Sequence, residues 1–184
     1  MQNNNQTKTA VATFPIATYK VKDLIWTLVF TLTAIIFPAF LAHTPHNQWI
    51  TGTIVNALLF LAVWQVGFLN AALIAALPSS IALLRGLLPA PMAILIPYII
   101  LSNIILIAVF YLFSRIEKLS FQIEIVSVVT ASFAKFIFLF TITSYFIKIA
   151  NPLLVMMQWP QLFTALAGGL IAIGVIKKFK ISFS

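Results

Sequence analysis

From Leu24 to Leu84 the chain reads LIWTLVFTLTAIIFPAFLAHTPHNQWITGTIVNALLFLAVWQVGFLNAALIAALPSSIALL, and only His43 and His46 in that stretch can take on charge near neutral pH. Residues 86–114 likewise hold no charged side chain. About 20 consecutive apolar residues cross a bilayer core as a helix, so these two stretches alone hold material for several spans. The rest of the 184 residues agrees: 62% are hydrophobic, 8% are charged, and the mean hydropathy is +1.09. Soluble domains are about a quarter charged. The fold expected is therefore all-α, a polytopic membrane bundle.

Turn and charge signals divide the chain into six expected spans. The first covers about 24–42 and ends in the polar loop His43-Thr44-Pro45-His46-Asn47-Gln48-Trp49. The second covers about 50–66, the third about 69–85 after a break at Gly67–Asn70, and the fourth about 91–114 with Pro97 inside it. The fifth covers about 120–147, and the sixth runs from Trp159-Pro160 to Lys177. Basic residues favour the cytoplasmic side of short loops. With the N-terminus inside, Lys8, Lys20, Lys22, Arg115, Lys118, Lys177, Lys178 and Lys180 are cytoplasmic, against Arg85 and Lys148 outside. The expected organisation is a cytoplasmic N-terminal segment (1–22), a six-helix transmembrane domain (23–178) and a cytoplasmic tail (179–184). The apolar run that opens the first span is too long for the h-region of a cleavable signal. A multi-pass protein of the plasma membrane is expected.

Composition also removes chemistries. With no Cys there is no disulfide, thiolate nucleophile or cysteine-held cluster. The three acids, Asp23, Glu117 and Glu124, give little scope for paired-carboxylate catalysis. No phosphate-cradling glycine loop, Walker lysine or HExxH is present, so the chain does not hydrolyse ATP by itself. His43 and His46 have no third ligand nearby, and no metal or cofactor is expected. The formal charge of +8 sits beside hydrophobic spans, which reads as membrane topology rather than nucleic-acid binding. No enzyme is expected.

Lys135 stands out, because it lies near the middle of the fifth span. A charge there is costly and by default marks function. Glu124, three helical turns earlier, shares its face. Arg85, alone at the outer end of the third span, has the fork to hold a carboxylate or phosphate. Asn56 and Asn103 are amides inside spans and need partners, either another helix or a ligand. Trp49 and Trp159 suit an interfacial belt, and an aromatic beside Gln158 and Gln161 could also stack on a flat ligand. The pairs Ala71/Ala75 and Ala165/Gly169 have the small-xxx-small spacing that lets helices approach, within the bundle or against another subunit.

Two stretches, His46-Asn47-Gln48-Trp49-Ile50-Thr51-Gly52-Thr53-Ile54-Val55-Asn56 and Trp159-Pro160-Gln161-Leu162-Phe163-Thr164-Ala165-Leu166-Ala167-Gly168-Gly169, in a chain of this length and topology, make it similar to the substrate-binding S components of energy-coupling factor transporters, importers of vitamins and metals. The resemblance covers residues 20–178 as architecture. It implies a small ligand near the outer face, with Arg85, Asn103, Lys135 and Gln161 around it and the Trp49 loop as a lid. It also implies a membrane coupling subunit with cytoplasmic ATPases as partner. That family often docks through an Ala-xxx-Ala patch on its first helix. Here the first helix reads Thr27, Thr31, Ala34, and Ala71/Ala75 would serve instead. The chain also looks like small membrane proteins labelled iron hydrogenase, but without Cys it cannot hold the clusters that label requires. The function expected is thus a capture subunit binding a small anionic ligand. The rival is a structural or assembly subunit of a larger membrane complex.

Overall fold

The computed structural model describes residues 21–41, 44, 47–84, 90–115, 121–147 and 151–179. Arg85, His43, His46 and Lys148 lie outside the described residues, as do both terminal segments. The described residues are helical, with no strand: α1 (Val21–Leu41), α2 (Asn47–Leu84), α3 (Ile96–Ser114), α4 (Phe121–Thr141), α5 (Asn151–Met156) and α6 (Trp159–Phe179). A 3-10 turn, Ala90–Leu95, leads into α3, and a π turn, Ile142–Phe146, ends α4. Five helices are long and apolar enough to cross a membrane.

The break expected between the second and third spans is a single residue. Gly67 has φ 77° and ψ 175°, a region essentially closed to residues with a Cβ, and it divides α2 into residues 47–66 and 68–84. Phe68, just past this corner, meets the Tyr111 ring near the end of α3 in a tilted pair at 5.6 Å. Leu95, just before α3, packs with Ile147 and Met157 at the opposite end. Phe68 and Leu95 therefore pack at opposite ends of the bundle. Pro97 lies within the apolar segment Ala93–Ser114, as expected of the fourth span, and falls in the first turn of α3, where its missing N–H costs nothing. The preceding residues tighten into the 3-10 turn instead of extending the helix.

The main core lies between α2, α3, α4 and α6, with Phe60, Phe110, Leu106, Ile107 and Val128 at its centre. Phe60 and Phe110 meet edge to face at 4.8 Å. The glycines of α6 set the spacing. A Cβ at Gly168 would stand 2.6 Å from Thr53 O and 2.7 Å from Ala57 N, and one at Gly169 would run into Val128. Backbone against backbone, α2 and α6 close to a distance only glycine permits. By contrast α1 leans on α2 alone, and α1 and α6 scarcely touch. Ala71 and Ala75 face inward, 0% and 2% exposed, and pack within the chain's own core.

Every Lys and Arg among the described residues except Lys135 sits at one end: Lys22, Arg115, Lys177 and Lys178. The described acids, Asp23 and Glu124, are at that end too. The other end, holding Asn47, Ile96 and Trp159, is uncharged over the described residues.

Candidate functional site

The buried stripe of α4 is Ser127, Val128, Ala131, Ser132, Lys135, Phe136 and Leu139. Small residues on this stripe let neighbouring helices come close around the one long polar side chain. Lys135 is 3% exposed. Its Nζ donates to Asn56 Oδ1 on α2 at 2.8 Å and to Asn103 Oδ1 on α3 at 2.7 Å. The Asn56 amide in turn donates to Thr164 Oγ1 on α6 at 3.4 Å, at the edge of hydrogen-bonding range. The Thr164 hydroxyl donates back to Gln161 O at 3.3 Å. One ammonium thus ties four helices through two amides and a hydroxyl, at the level where Gly52 and Gly168 bring α2 and α6 together.

At a rise of 1.5 Å per residue, Asn56, Asn103, Lys135 and Thr164 lie about 8–14 Å in from the uncharged ends of their helices. Above them the connections form a small apolar roof. Leu95, Ile147 and Met157 pack together there, with Tyr98, Ile142 and Met156 against them. Gln48 Nε2 ties the start of α2 to Met156 O at 2.6 Å, and Gln158 Nε2 reaches Ser144 Oγ at 3.3 Å. The residues expected to line one pocket therefore divide. Lys135, Asn56 and Asn103 meet. Trp49 is half exposed and pairs with Phe163 at 6.5 Å, and Trp159 pairs with Phe136 at 4.9 Å. Gln161 is partly buried, one turn from Thr164, and touches the cluster only through its backbone carbonyl. Arg85 lies outside the described residues.

An ammonium has three N–H donors and no acceptor, so two of its three donors are used. Both acceptors are neutral. Glu124, on the same stripe of the sequence, does not approach Lys135. It lies about 16 Å along the helix and pairs with Lys177 at 3.2 Å, in a direction that makes the contact ionic rather than a hydrogen bond. Lys177 also sits 3.7 Å from the centre of the Phe121 ring. The buried charge of Lys135 accordingly has no anionic partner among the described residues.

Sequence reasoning missed two members. Thr164 was quoted only as part of a glycine-rich helix. Ser132 is fully buried and its Oγ has no partner, whereas Ser102, Ser127 and Thr143 bond carbonyls of their own helices. The signal for Ser132 was its spacing of three residues from Lys135, which puts it on the same face. Chemically the cluster offers one unspent N–H of the ammonium and, on the same helix face, the Ser132 hydroxyl, both in a buried interior. It offers no acid–base pair.

Compared with models of protein families, with curated proteins and with solved structures, the chain finds no match in any of the three.

Proposed function

We propose that the chain is a membrane-embedded capture subunit for a small anionic ligand, held at Lys135 and delivered from the uncharged end. The observation that carries this reading is the buried ammonium, set between two amide oxygens with no carboxylate beside it. A charge in hydrocarbon is expensive and is retained where it meets something. In this reading the unpartnered Ser132 hydroxyl and the third N–H of Lys135 serve the ligand, and the roof of Leu95, Ile147 and Met157 lifts to admit it. The protein binds rather than catalyses. The basic end faces the cytoplasm, both termini are there, and the two halves of α2 make six spans in the plasma membrane. With no nucleotide site of its own, the chain works with a coupling subunit and cytoplasmic ATPases.

The test is mass spectrometry of the denatured, purified protein. A small anion should accompany the wild type and be lost from Lys135→Met with the helical content unchanged. An identical small-molecule profile for both proteins would end the proposal. Topology is checked separately, since the chain has no native Cys to interfere. Thr44→Cys should react with an impermeant maleimide from outside intact cells, and Arg115→Cys only after lysis.

One observation favours a second reading. All of Asn56, Asn103, Ser132 and Lys135 are buried and the two bonds of the ammonium are short, which also suits a polar knot that fixes four helices in a structural or assembly subunit. Lys135→Met would then alter stability or assembly and change no bound molecule.

A further inference from the structure

At the basic end, away from Lys135, the splaying of α1 from α6 opens a cavity of about 380 Å³ on the bundle's flank. Its floor is the end of the first half of α2, at Leu61 and Trp64, and its walls are Trp26 and Phe30 on α1 and Val175 and Phe179 on α6. From Phe30 back to Lys22 near the start of α1 the groove rises about 12 Å along the helix axis. Both walls end in an exposed lysine. Lys22 stands one turn before Trp26 on the same face of α1, and Lys178 stands three residues after Val175 on the same face of α6. The Lys178 ammonium lies 5.8 Å from the centre of the Phe179 ring that lines the groove. Lys177, in contrast, is engaged with Glu124 and Phe121. Asp23 adjoins Lys22, so the two lysines outnumber the one acid on the rim.

We propose that this groove is a binding site for an anionic phospholipid, with an acyl chain lying between α1 and α6 and the phosphate held between Lys22 and Lys178. The apolar channel asks for hydrocarbon, and the paired rim charges select the headgroup. Basic pockets between membrane helices hold anionic headgroups by the same physics. The site stands apart from Lys135, and neither proposal depends on the other.

The tryptophans supply the readout, because Trp26 and Trp64 line the groove while Trp49 and Trp159 sit at the far end. A Trp49→Phe/Trp159→Phe protein is placed in nanodiscs of phosphatidylcholine containing a tenth of brominated phosphatidylglycerol, or a tenth of brominated phosphatidylcholine. The phosphatidylglycerol should occupy the groove with about a fivefold preference, roughly what one net positive charge near an anionic lipid supplies. The preference should vanish when Lys22→Gln and Lys178→Gln are added, with the emission spectrum of the unquenched protein unchanged. A Trp26→Phe/Trp64→Phe protein, reporting from the far end, should show no preference. Equal quenching by the two lipids, survival of the preference without the lysines, or the same preference at the far end would each overturn the proposal.

Discussion

Replacing Asn103 by Leu should destabilise the protein more than replacing the lysine it serves. Asn103→Leu leaves the Lys135 ammonium 97% buried with one acceptor, Asn56 Oδ1 at 2.8 Å. A hydrogen bond to a charged group contributes about 1.5–3 kcal/mol, and nothing else among the described residues takes up the freed donor. The expected cost is about 2 kcal/mol. Lys135→Met also breaks the 2.7 Å bond to Asn103 and strands two amide oxygens, at about 1 kcal/mol or more each. It simultaneously removes an ammonium whose own insertion costs about 2.5–3.5 kcal/mol. These offset, and the net change should be near zero, as when buried ion pairs give way to apolar residues. In the double variant the lost bond counts only once, at about 2 kcal/mol, and no Asn103 oxygen is stranded, at about 1 kcal/mol, so the two changes should be non-additive by about 3 kcal/mol. Uncharged pairs in membranes average about 0.6 kcal/mol, which makes the coupling measurable above that background. Reversible unfolding of the four proteins in bicelles gives it directly. Additivity within about 0.5 kcal/mol, or a lysine variant weaker than the asparagine variant, would refute the reasoning.

Three further outcomes follow from the backbone and the basic end. Gly168→Ala should cost about 2 kcal/mol or more of stability and lower the melting temperature in detergent, because its Cβ meets backbone atoms of Thr53 and Ala57 that cannot move aside, whereas Gly174→Ala, with open space around it, should be neutral or slightly stabilising. Gly67→Ala should cost about 1–3 kcal/mol from φ alone, although no neighbour lies within 4 Å of the new methyl group; a silent substitution would show that the corner relaxes. Glu124→Gln should cost less than about 1 kcal/mol and lose most of its effect in high salt, since Lys177 is 44% exposed; a large, salt-insensitive loss would mean that the carboxylate matters to something other than Lys177.

What the sequence revealed, it revealed through properties a single helix carries. Charge-free length gave the membrane helices, and Gly67 marked the corner in α2. Lys135, Asn56 and Asn103 were each conspicuous as polar residues in hydrocarbon, because the cost of stranding them is a local property. Their meeting was not legible. It depends on the depth at which three helices are set against one another, which the glycines of α6 and the corner at Gly67 help to determine. Glu124 illustrates the limit: spacing places it on the stripe of Lys135, yet its carboxylate belongs to the basic end and finds Lys177 on α6. Ala71 and Ala75 show the same ambiguity, since small-residue spacing marks close approach without saying whether the neighbour is part of the chain. Pro97 falls within the fourth span, as its sequence position predicts, but its place in the first helical turn was not legible, because a 3-10 turn and a helix start are both apolar here.

The position of Lys135 along the chain has a bearing on biogenesis. Ribosomes deliver α2 and α3 ahead of α4, so the oxygens of Asn56 and Asn103 are already embedded when the cationic segment emerges from the translocon. The amine thus follows both of its acceptors in the chain. Thr164 arrives last, on α6, and cinches Asn56 after the charge is housed. Transposing α4 ahead of α2 would deliver the cationic segment before either of its acceptors.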